Sequence, residues 1–297
     1  MKKIIAQIIG MYFNLLAILA PRHAGKVGFD FFCYPFRTPI SKKHLDFLKS
    51  ASHGHLNVEG VQIQVYRWGS GPKNILFVHG WQSYSYRWKT YIEAINKKEF
   101  TLYAFDAPGH GLSTGKFLSA PLYEQAIHVV VKKLGTVHCL VGHSFGSFAS
   151  LYHLFKNPSS KIRSLVAMAS PGEACEFFDH YKKALGLSNA CLKAVMARFE
   201  ETFHHSPSYF SAPYFASAID IPCLIIHDEA DMETLAQHSK RLHQALKNSE
   251  LLITKDAGHN LKSSEVLNKV VGFINKSSPS LQFENSKNSE TEPHYSL

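Results

Sequence analysis

Cysteine is scarce in this sequence, and no two of its five cysteines form a C-x-x-C pair. An odd number of widely spaced thiols predicts neither a disulfide framework nor a zinc cluster. Two of them, Cys139 and Cys223, lie in apolar strand-like runs, which is typical of buried thiols in a reducing compartment. We therefore expect a cytoplasmic protein.

The sequence also lacks a basic stripe interleaved with aromatic residues, although its formal net charge is +9. Residues 1–50 contain eight Lys or Arg but only two Asp, so this segment alone contributes +6. Because the remainder is nearly balanced, the high pI does not indicate a nucleic-acid partner. A basic, apolar N-terminus instead indicates a docking segment, or peripheral association with an anionic membrane through residues 1–50.

No apolar run reaches the roughly 20 uninterrupted residues that a transmembrane helix needs. The longest, residues 4–20, is interrupted by Gln7 and Asn14, which share a helix face with Gly10. Pro21 follows the run, at a position unfavourable for signal-peptide cleavage. We expect a helix that lies in a membrane interface or packs on the protein's own surface. If the segment were only a structural brace, its helix and aromatic rings would be buried against the main domain.

Apolar β-rich runs alternate with helical segments from residue 61 onward. This alternation predicts an α/β fold, with a mostly parallel sheet flanked by helices. The predicted strands are 61–68, 74–78, 101–105, 137–141, 162–169, 221–227 and 250–254. The predicted helices are 84–96, 122–134, 145–155, 235–246 and 263–275.

About fifty residues separate the fifth and sixth of these strands, far more than one helix and two short loops need. This length predicts a helical insertion over about residues 171–216. Nine aromatic residues crowd the insertion, and we expect most of them to join it to the core and some to line a pocket. The predicted organisation is an N-terminal helical extension, a main domain containing the insertion, and a disordered tail, over residues 1–55, 56–275 and 276–297.

The segment Gly142-His143-Ser144-Phe145-Gly146 lies between a predicted strand and a predicted helix. A G-x-S-x-G motif in this context is typical of a nucleophile elbow, in which the serine occupies a strained turn between closely packed strand and helix. A serine hydroxyl is a weak nucleophile at neutral pH, so it needs a base and an orienting carboxylate. We predict Ser144 as the nucleophile.

The base and its carboxylate are expected downstream, in the order acid and then histidine. His259 follows the predicted strand 250–254, at the sheet edge where ligands bind in open α/β sheets, and we predict it as the base. Three carboxylates follow the preceding strand: Asp228, Glu229 and Asp231. We predict Asp231, because it lies one turn further out, where the loop can fold back toward His259. Asp228 remains the alternative.

Acyl transfer also needs backbone N–H donors directed at the developing oxyanion. We predict one donor at Phe145, directly after the nucleophile, and the other at Trp81, in the loop after strand 74–78. The side chain of His79 in that loop is expected to be structural.

The sequence resembles the α/β-hydrolase fold superfamily over about residues 60–275. The motifs that carry the resemblance are His79-Gly80-Trp81, Asp106-x-Pro108-Gly109-His110-Gly111-x-Ser113, Gly142-x-Ser144-x-Gly146, His227-x-x-x-Asp231 and Gly258-His259. The resemblance implies that the insertion forms a cap over the active site and that Asp106, His110 and Ser113 are structural. A serine nucleophile is unlike the aspartate of dehalogenases and epoxide hydrolases.

These residues together predict an enzyme that cleaves an ester or thioester through an acyl-serine intermediate, without metal or organic cofactor. The insertion has four basic and five acidic residues beside its aromatics, which favours an apolar small-molecule substrate over an anionic one. A peptidase, a lactonase or a carbon–carbon bond hydrolase would use the same residues. The alternative from another class is a lipid or small-molecule receptor on the same fold, with a vestigial triad.

Overall fold

The computed structural model describes residues 2–276, so the predicted tail beyond Lys276 lies outside the described residues. Eight strands form one sheet in the order β1-β2-β4-β3-β5-β6-β7-β8. β2 runs antiparallel to both of its neighbours, and the other adjacent pairs are parallel. The strands are β1 (Ser52–Val58), β2 (Val61–Trp68), β3 (Lys73–Val78), β4 (Phe100–Phe105), β5 (Cys139–His143), β6 (Leu165–Met168), β7 (Cys223–Asp228) and β8 (Ser249–Thr254).

Helices cover both faces of this sheet. Those in the described residues are α1 (Lys2–Leu19), α2 (Pro21–Phe32), α3 (Lys42–Leu48), α4 (Lys89–Ala94), α5 (Ala120–Leu134), α6 (Phe145–Lys156), α7 (Ala174–Leu185), α8 (Asn189–Phe203), α9 (Ala212–Ala216), α10 (Ala236–Ala245) and α11 (Ser264–Lys276). Short 3₁₀ turns occupy Ser85–Trp88 and Pro207–Tyr209. None of the helices between residues 2 and 276 is long and apolar enough to cross a membrane.

The central strands are apolar on both faces, because each face is buried under helices. In β3, Ile75 and Phe77 belong to one apolar cluster, whereas Leu76 and Val78 belong to the other. Helices α5 and α6 cover the second cluster, and α4 and α11 cover the first. This continuous apolar pattern is typical of parallel strands in α/β proteins, and it confirms the predicted fold class.

Two strands differ clearly from the prediction. β1 was not predicted, because its sequence Ser-His-Gly-His-Leu-Asn-Val alternates weakly and six of its seven residues are not buried. It crosses the boundary predicted at residue 55. The predicted strand 162–169 is shorter, since Ile162 makes only an isolated bridge to Val137 and β6 begins at Leu165.

The segment inserted between β6 and β7 contains α7, α8 and α9, and the N-terminal helices pack on it. The rings of Phe32 and Phe178 stack with centroids 4.6 Å apart, and the ring of Phe29 meets that of Phe199 edge to face. The Tyr181 hydroxyl donates a hydrogen bond to the carbonyl of Gly28. Most of the aromatic side chains of α2 therefore join this helix to the inserted segment.

Candidate active site

Ser144 lies at the sharp turn between β5 and α6, with φ +51° and ψ −125°. A residue other than glycine in such a conformation stores strain of about 1–3 kcal/mol. The Ser144 N–H donates a hydrogen bond to the carbonyl of Met168 on the neighbouring strand, which holds the turn at the sheet edge. The Ser144 side chain is half-buried, so the turn presents it at the carboxyl end of the sheet.

The two glycines of the motif allow backbones to approach closely around this turn. A side chain at Gly142 would place its Cβ 2.7 Å from the Ser147 Cα. A side chain at Gly146 would place its Cβ 2.3 Å from the carbonyl oxygen of Val78 and 2.4 Å from that of His79. Neither position has room for a methyl group, because the atoms that it would meet belong to the backbone.

We expect Gly146→Ala to lower the free energy of unfolding by about 1–3 kcal/mol, because β3 must move to admit the methyl group. Urea denaturation would show this as a lower midpoint at an unchanged slope. Gly272→Ala in α11 is the matched control, since nothing lies within 4 Å of the added Cβ. The control should raise stability by about 0.5–1 kcal/mol through helix propensity. Equal midpoints for the two variants would contradict the close approach at Gly146.

The loop after β3 lies against the nucleophile turn. A side chain at Gly80 would place its Cβ 2.9 Å from the Ser144 Cβ. The rings of Trp81 and Phe145 meet edge to face, with centroids 5.7 Å apart. Among the hydrogen bonds of residues 2–276, none uses the backbone N–H of Trp81 or of Phe145. These two backbone N–H groups, in the residue after Ser144 and in the loop that lies against its turn, therefore have no hydrogen-bond acceptor among the described residues.

Two buried histidines fix this loop. His79 Nε2 accepts a hydrogen bond from the Ala107 N–H at 2.9 Å, so its Nδ1 carries the proton and donates to the Gly80 carbonyl. His110 Nε2 likewise accepts from the Gln82 N–H at 3.1 Å. Burial lowers the pKa of His79 to about 4 and that of His110 to about 3, so both rings are neutral at physiological pH. The His79 side chain hydrogen-bonds only within the structural framework, as expected.

Asp106, directly after β4, is fully buried and holds the loop that follows this strand. Its carboxylate accepts hydrogen bonds from the Tyr66 hydroxyl, from the N–H and hydroxyl of Ser85, and from the Leu112 N–H. Burial raises the pKa of Asp106, whereas these four donors act to lower it. The hydroxyl of Ser113 donates to the Asp106 carbonyl. These contacts are structural, as the family resemblance implies.

His259 and Asp231 meet at the same sheet edge. His259 Nδ1 donates a hydrogen bond to Asp231 Oδ2 at 2.8 Å. The other oxygen of Asp231 accepts from the N–H groups of Glu233 and Thr234, at 2.8 and 3.0 Å. Burial alone would raise the pKa of Asp231, but hydrogen bonds from His227 and His259 and these N–H groups hold it well below its usual range. The carboxylate stays ionised while buried.

The carboxylate of Asp228, the alternative acid, binds groups other than the His259 ring. Its Oδ2 accepts hydrogen bonds from the Thr254 hydroxyl at 2.7 Å and from the Ala257 N–H at 2.8 Å. Its Oδ1 accepts from the Ala230 N–H. Within the described part of the chain, Asp228 forms no hydrogen bond or ion pair with the His259 ring. It ties the end of β7 to the start of the loop that carries His259.

Two further side chains hold the His259 loop. His143 Nε2 donates a hydrogen bond to the His259 carbonyl at 2.8 Å, and the two rings meet edge to face. Arg87 donates to the carbonyl of Asn260 at 2.8 Å and to its side-chain oxygen at 3.2 Å. Burial lowers the pKa of His143 well below its usual value, so the ring is neutral. The position of the His259 loop therefore depends on both β5 and the turn at Ser85–Trp88.

The predicted nucleophile, Ser144, and the predicted base, His259, are not hydrogen-bonded to each other in the described residues. His259 Nε2 instead lies 3.6 Å from the carboxylate of Glu233, whose side chain is exposed. In unliganded enzymes such contacts are often long and tighten only when substrate binds.

Comparison with known proteins identifies the family. Residues 75–263 match the model of the alpha/beta hydrolase family. The chain belongs to this family. Together with the eight-stranded sheet, this match confirms the family that the sequence motifs predicted.

This α/β hydrolase is only distantly similar to the following proteins. It is 26% identical over 161 residues to the dihydrolipoyllysine-residue acetyltransferase component of the acetoin cleaving system of Cupriavidus necator, a match that spans 53% of this chain and only 42% of that protein. A candidate lipase from Acinetobacter baumannii superposes with a TM-score of 0.62 at 18% identity, covering 81% of this chain and 98% of that one. A bacterial membrane phospholipase A gives 0.60 at 15% identity, covering 79% and 92%. At such identities the structural likeness shows the fold alone.

A second histidine, to which the sequence analysis assigned no role, approaches the carboxylate of Asp231 in this α/β hydrolase. His227 Nε2 lies 3.2 Å from Asp231 Oδ2 and 2.8 Å from the Thr234 carbonyl. The His227 Nδ1 is bonded to the Ser239 hydroxyl at 2.6 Å. The Thr234 hydroxyl donates to Asp231 as well, at 2.9 Å. The spacing of four residues between His227 and Asp231 is the sequence signal that could have indicated the pair.

Aromatic side chains surround the residue after Ser144. The ring of Phe145 contacts that of Tyr123 at 5.9 Å between centroids. It also meets the ring of Phe177 edge to face at 5.8 Å. Phe177 belongs to α7, so the inserted segment of this hydrolase reaches the nucleophile turn and adds an apolar wall there.

One group of side chains in the described residues has the composition of a metal site, and it lies apart from Ser144. Glu124, His128 and His153 bring potential ligand atoms within 4.8 Å of one another between α5 and α6. The Glu124 carboxylate is already bonded to His153 at 2.9 Å and to the Lys156 ammonium at 3.1 Å. A cation there would have to displace this ammonium, so the group is better explained as a partly buried network of an ion pair and a hydrogen bond around Glu124.

Proposed function

We propose that this α/β hydrolase is a serine esterase or thioesterase that acts on an apolar small molecule through an acyl-Ser144 intermediate. One observation carries the proposal. A strained, half-buried serine lies at one sheet edge with two unpaired backbone N–H groups and with a histidine bonded to a buried, ionised carboxylate. This combination matches the requirements of acyl transfer, which needs a nucleophile, a base and an oxyanion site.

In the proposed reaction, the Ser144 hydroxyl attacks the acyl carbon and transfers its proton to His259 Nε2. The negative oxygen of the tetrahedral intermediate accepts hydrogen bonds from the N–H groups of Trp81 and Phe145. Asp231 stabilises the imidazolium through the His259 Nδ1–H. His259 then protonates the leaving group, and it next activates the water that releases the acid from Ser144. The reaction as proposed uses only these groups.

We propose an apolar acyl or aromatic substrate because apolar rings surround the site. The ring of Phe145, next to Ser144, contacts both the ring of Trp81 and the ring of Phe177. In this proposal the inserted segment acts as the cap and supplies Phe177 to the pocket wall. The names of the two similar structures, a candidate lipase and a membrane phospholipase A, fit a substrate of this class.

The rival function is a non-catalytic receptor for a small apolar molecule or lipid. The observation that favours it is the missing hydrogen bond between Ser144 and His259 in the described residues. A receptor would need the pocket but not proton transfer from the serine. A peptidase or a carbon–carbon bond hydrolase would keep the same triad and differ only in the bond cleaved.

Labelling with a fluorophosphonate probe distinguishes the hydrolase from the receptor. We expect a covalent adduct on Ser144, found by mass spectrometry in the folded protein and lost after unfolding, because only the assembled site activates the hydroxyl. Uncharged esters of increasing chain length should slow the labelling progressively, and strongly anionic esters should not. A folded sample without any adduct would favour the receptor.

A further inference from the structure

Helix α1 turns an apolar face toward the solvent. Its outward side chains recur at the spacing of one helical face, and no charged residue occurs between Lys3 and Arg22. Eight of these apolar side chains, here called the α1 stripe, are 52–75% exposed: Ile4, Ile5, Ile8, Met11, Tyr12, Leu15, Ile18 and Leu19. A surface helix normally presents charged residues to water. The apolar composition of this face is instead typical of a helix face that another surface covers.

The opposite face of α1 is fixed to the inserted segment. A side chain at Gly10 would collide with the carbonyl oxygen of Leu185, at 1.7 Å from its Cβ. The Asn14 side chain donates to the Gly186 carbonyl at 2.9 Å and accepts from the Ser188 N–H at 2.7 Å. These contacts bind α1 to the junction between α7 and α8. These contacts keep the helix from rotating to bury the α1 stripe, and no described residue of the chain covers it.

Basic residues flank the α1 stripe. Arg22, His23 and Lys26 are exposed at the start of α2, directly after α1, and two lysines precede the stripe in the sequence. An anionic surface complements this arrangement of apolar and basic groups. A second copy of the chain fits less well, because each copy carries a net charge of +9, of which +6 comes from residues 1–50.

We propose that the α1 stripe is a lipid-docking face that holds the enzyme on the surface of an anionic phospholipid bilayer. The inference extends the proposed hydrolysis of apolar esters, but docking itself does not depend on catalysis. Helix α7 contacts α1 near Leu185 and reaches the active site at Phe177, whose ring contacts Phe145. Docking through α1 would thus place the lipid against the same inserted segment that supplies Phe177 beside the Ser144 turn.

The test is co-sedimentation of the full-length protein with vesicles of phosphatidylcholine alone or mixed with phosphatidylserine. We expect binding to the mixed vesicles that weakens at high salt, because salt screens the basic residues. Met11→Glu with Leu15→Glu should lower the partition coefficient for mixed vesicles at least tenfold. Both side chains are exposed, so circular dichroism and turnover of a soluble ester should stay unchanged within about twofold.

Two controls separate docking from other effects. Leu112→Glu introduces a charge at another exposed apolar side chain, 45% exposed, and should bind vesicles like the unaltered protein. Ser144→Ala should also bind normally, so that a failure of the proposed catalysis is not mistaken for a failure of docking. The proposal is overturned if the Met11→Glu, Leu15→Glu variant binds mixed vesicles like the unaltered protein, or if the unaltered protein does not bind anionic vesicles. A dimer in solution that the α1 substitutions dissociate, without vesicle binding, would assign the face to a second copy instead.

Discussion

Ser144→Ala is expected to lower kcat for a short-chain aryl ester by about 10⁴- to 10⁶-fold, since it removes the atom that forms the acyl-enzyme. KM should change little, because the hydroxyl contributes to the transition state more than to ground-state binding. The residual rate would come from the N–H groups of Trp81 and Phe145, which the substitution leaves in place. Steady-state kinetics and active-site titration on the purified variant measure the effect.

The stability of the Ser144→Ala variant serves as the control. Serine and alanine are both strained at φ +51°, so the substitution neither relieves nor adds backbone strain. No hydrogen bond of the Ser144 hydroxyl in the described residues is lost. The midpoint of urea denaturation should therefore remain within about 0.5 kcal/mol of that of the unaltered protein. If the variant is folded and keeps full activity, Ser144 is not the nucleophile.

The sharp turn at Ser144 between β5 and α6 could be predicted from sequence because its determinants are local. The glycines at 142 and 146 are required by backbone atoms a few residues away or on the adjacent strand, and a five-residue motif records that requirement. The signal for β3, β5 and β7 is also local, because each strand is buried on both faces and therefore appears in the sequence as a short apolar run. Predicted and observed bounds for these strands differ by only one or two residues.

The surroundings of His259 depend on contacts between distant segments, which no local pattern records. Arg87 reaches Asn260 across 173 positions of the chain, and His143 reaches the His259 carbonyl across 116. The loop could be located from its place after a strand, but the side chains that hold it could not be predicted. The motif His227-x-x-x-Asp231 was recognised as part of the family resemblance, but neither that resemblance nor the spacing assigned a role to His227, so its contact with Asp231 was missed.

The orientation of α1 was unpredictable for a physical reason. Two of its polar and small residues, Gly10 and Asn14, would ordinarily mark the solvent side of an amphipathic helix. Here both face the protein, because glycine allows the helix to touch the Leu185 carbonyl and asparagine binds backbone groups at the end of α7. The α1 stripe is thereby left outside, whereas Phe13 and Ala17 are buried.

The two candidate acids should respond differently to the same isosteric change. Asp231→Asn is expected to lower kcat by about 10⁴-fold. Its remaining oxygen can still accept from the N–H groups of Glu233 and Thr234, so the loop should keep its shape. The new amide NH₂ then replaces the acceptor at His259 Nδ1 and favours the tautomer with the proton on Nε2. That tautomer cannot accept the proton from Ser144.

Asp228→Asn is the matched variant three positions earlier, and it should keep kcat within about tenfold, because Asp228 forms no hydrogen bond with the His259 ring in the described residues. We expect this substitution to lower stability instead. Whichever oxygen the amide nitrogen replaces, one N–H group loses its acceptor, that of Ala257 at Oδ2 or that of Ala230 at Oδ1, at a cost of about 1–3 kcal/mol. Kinetics and urea denaturation of both variants, measured side by side, separate catalysis from folding. The reverse ranking, with Asp228→Asn inactive and Asp231→Asn active, would transfer the role of orienting acid to Asp228.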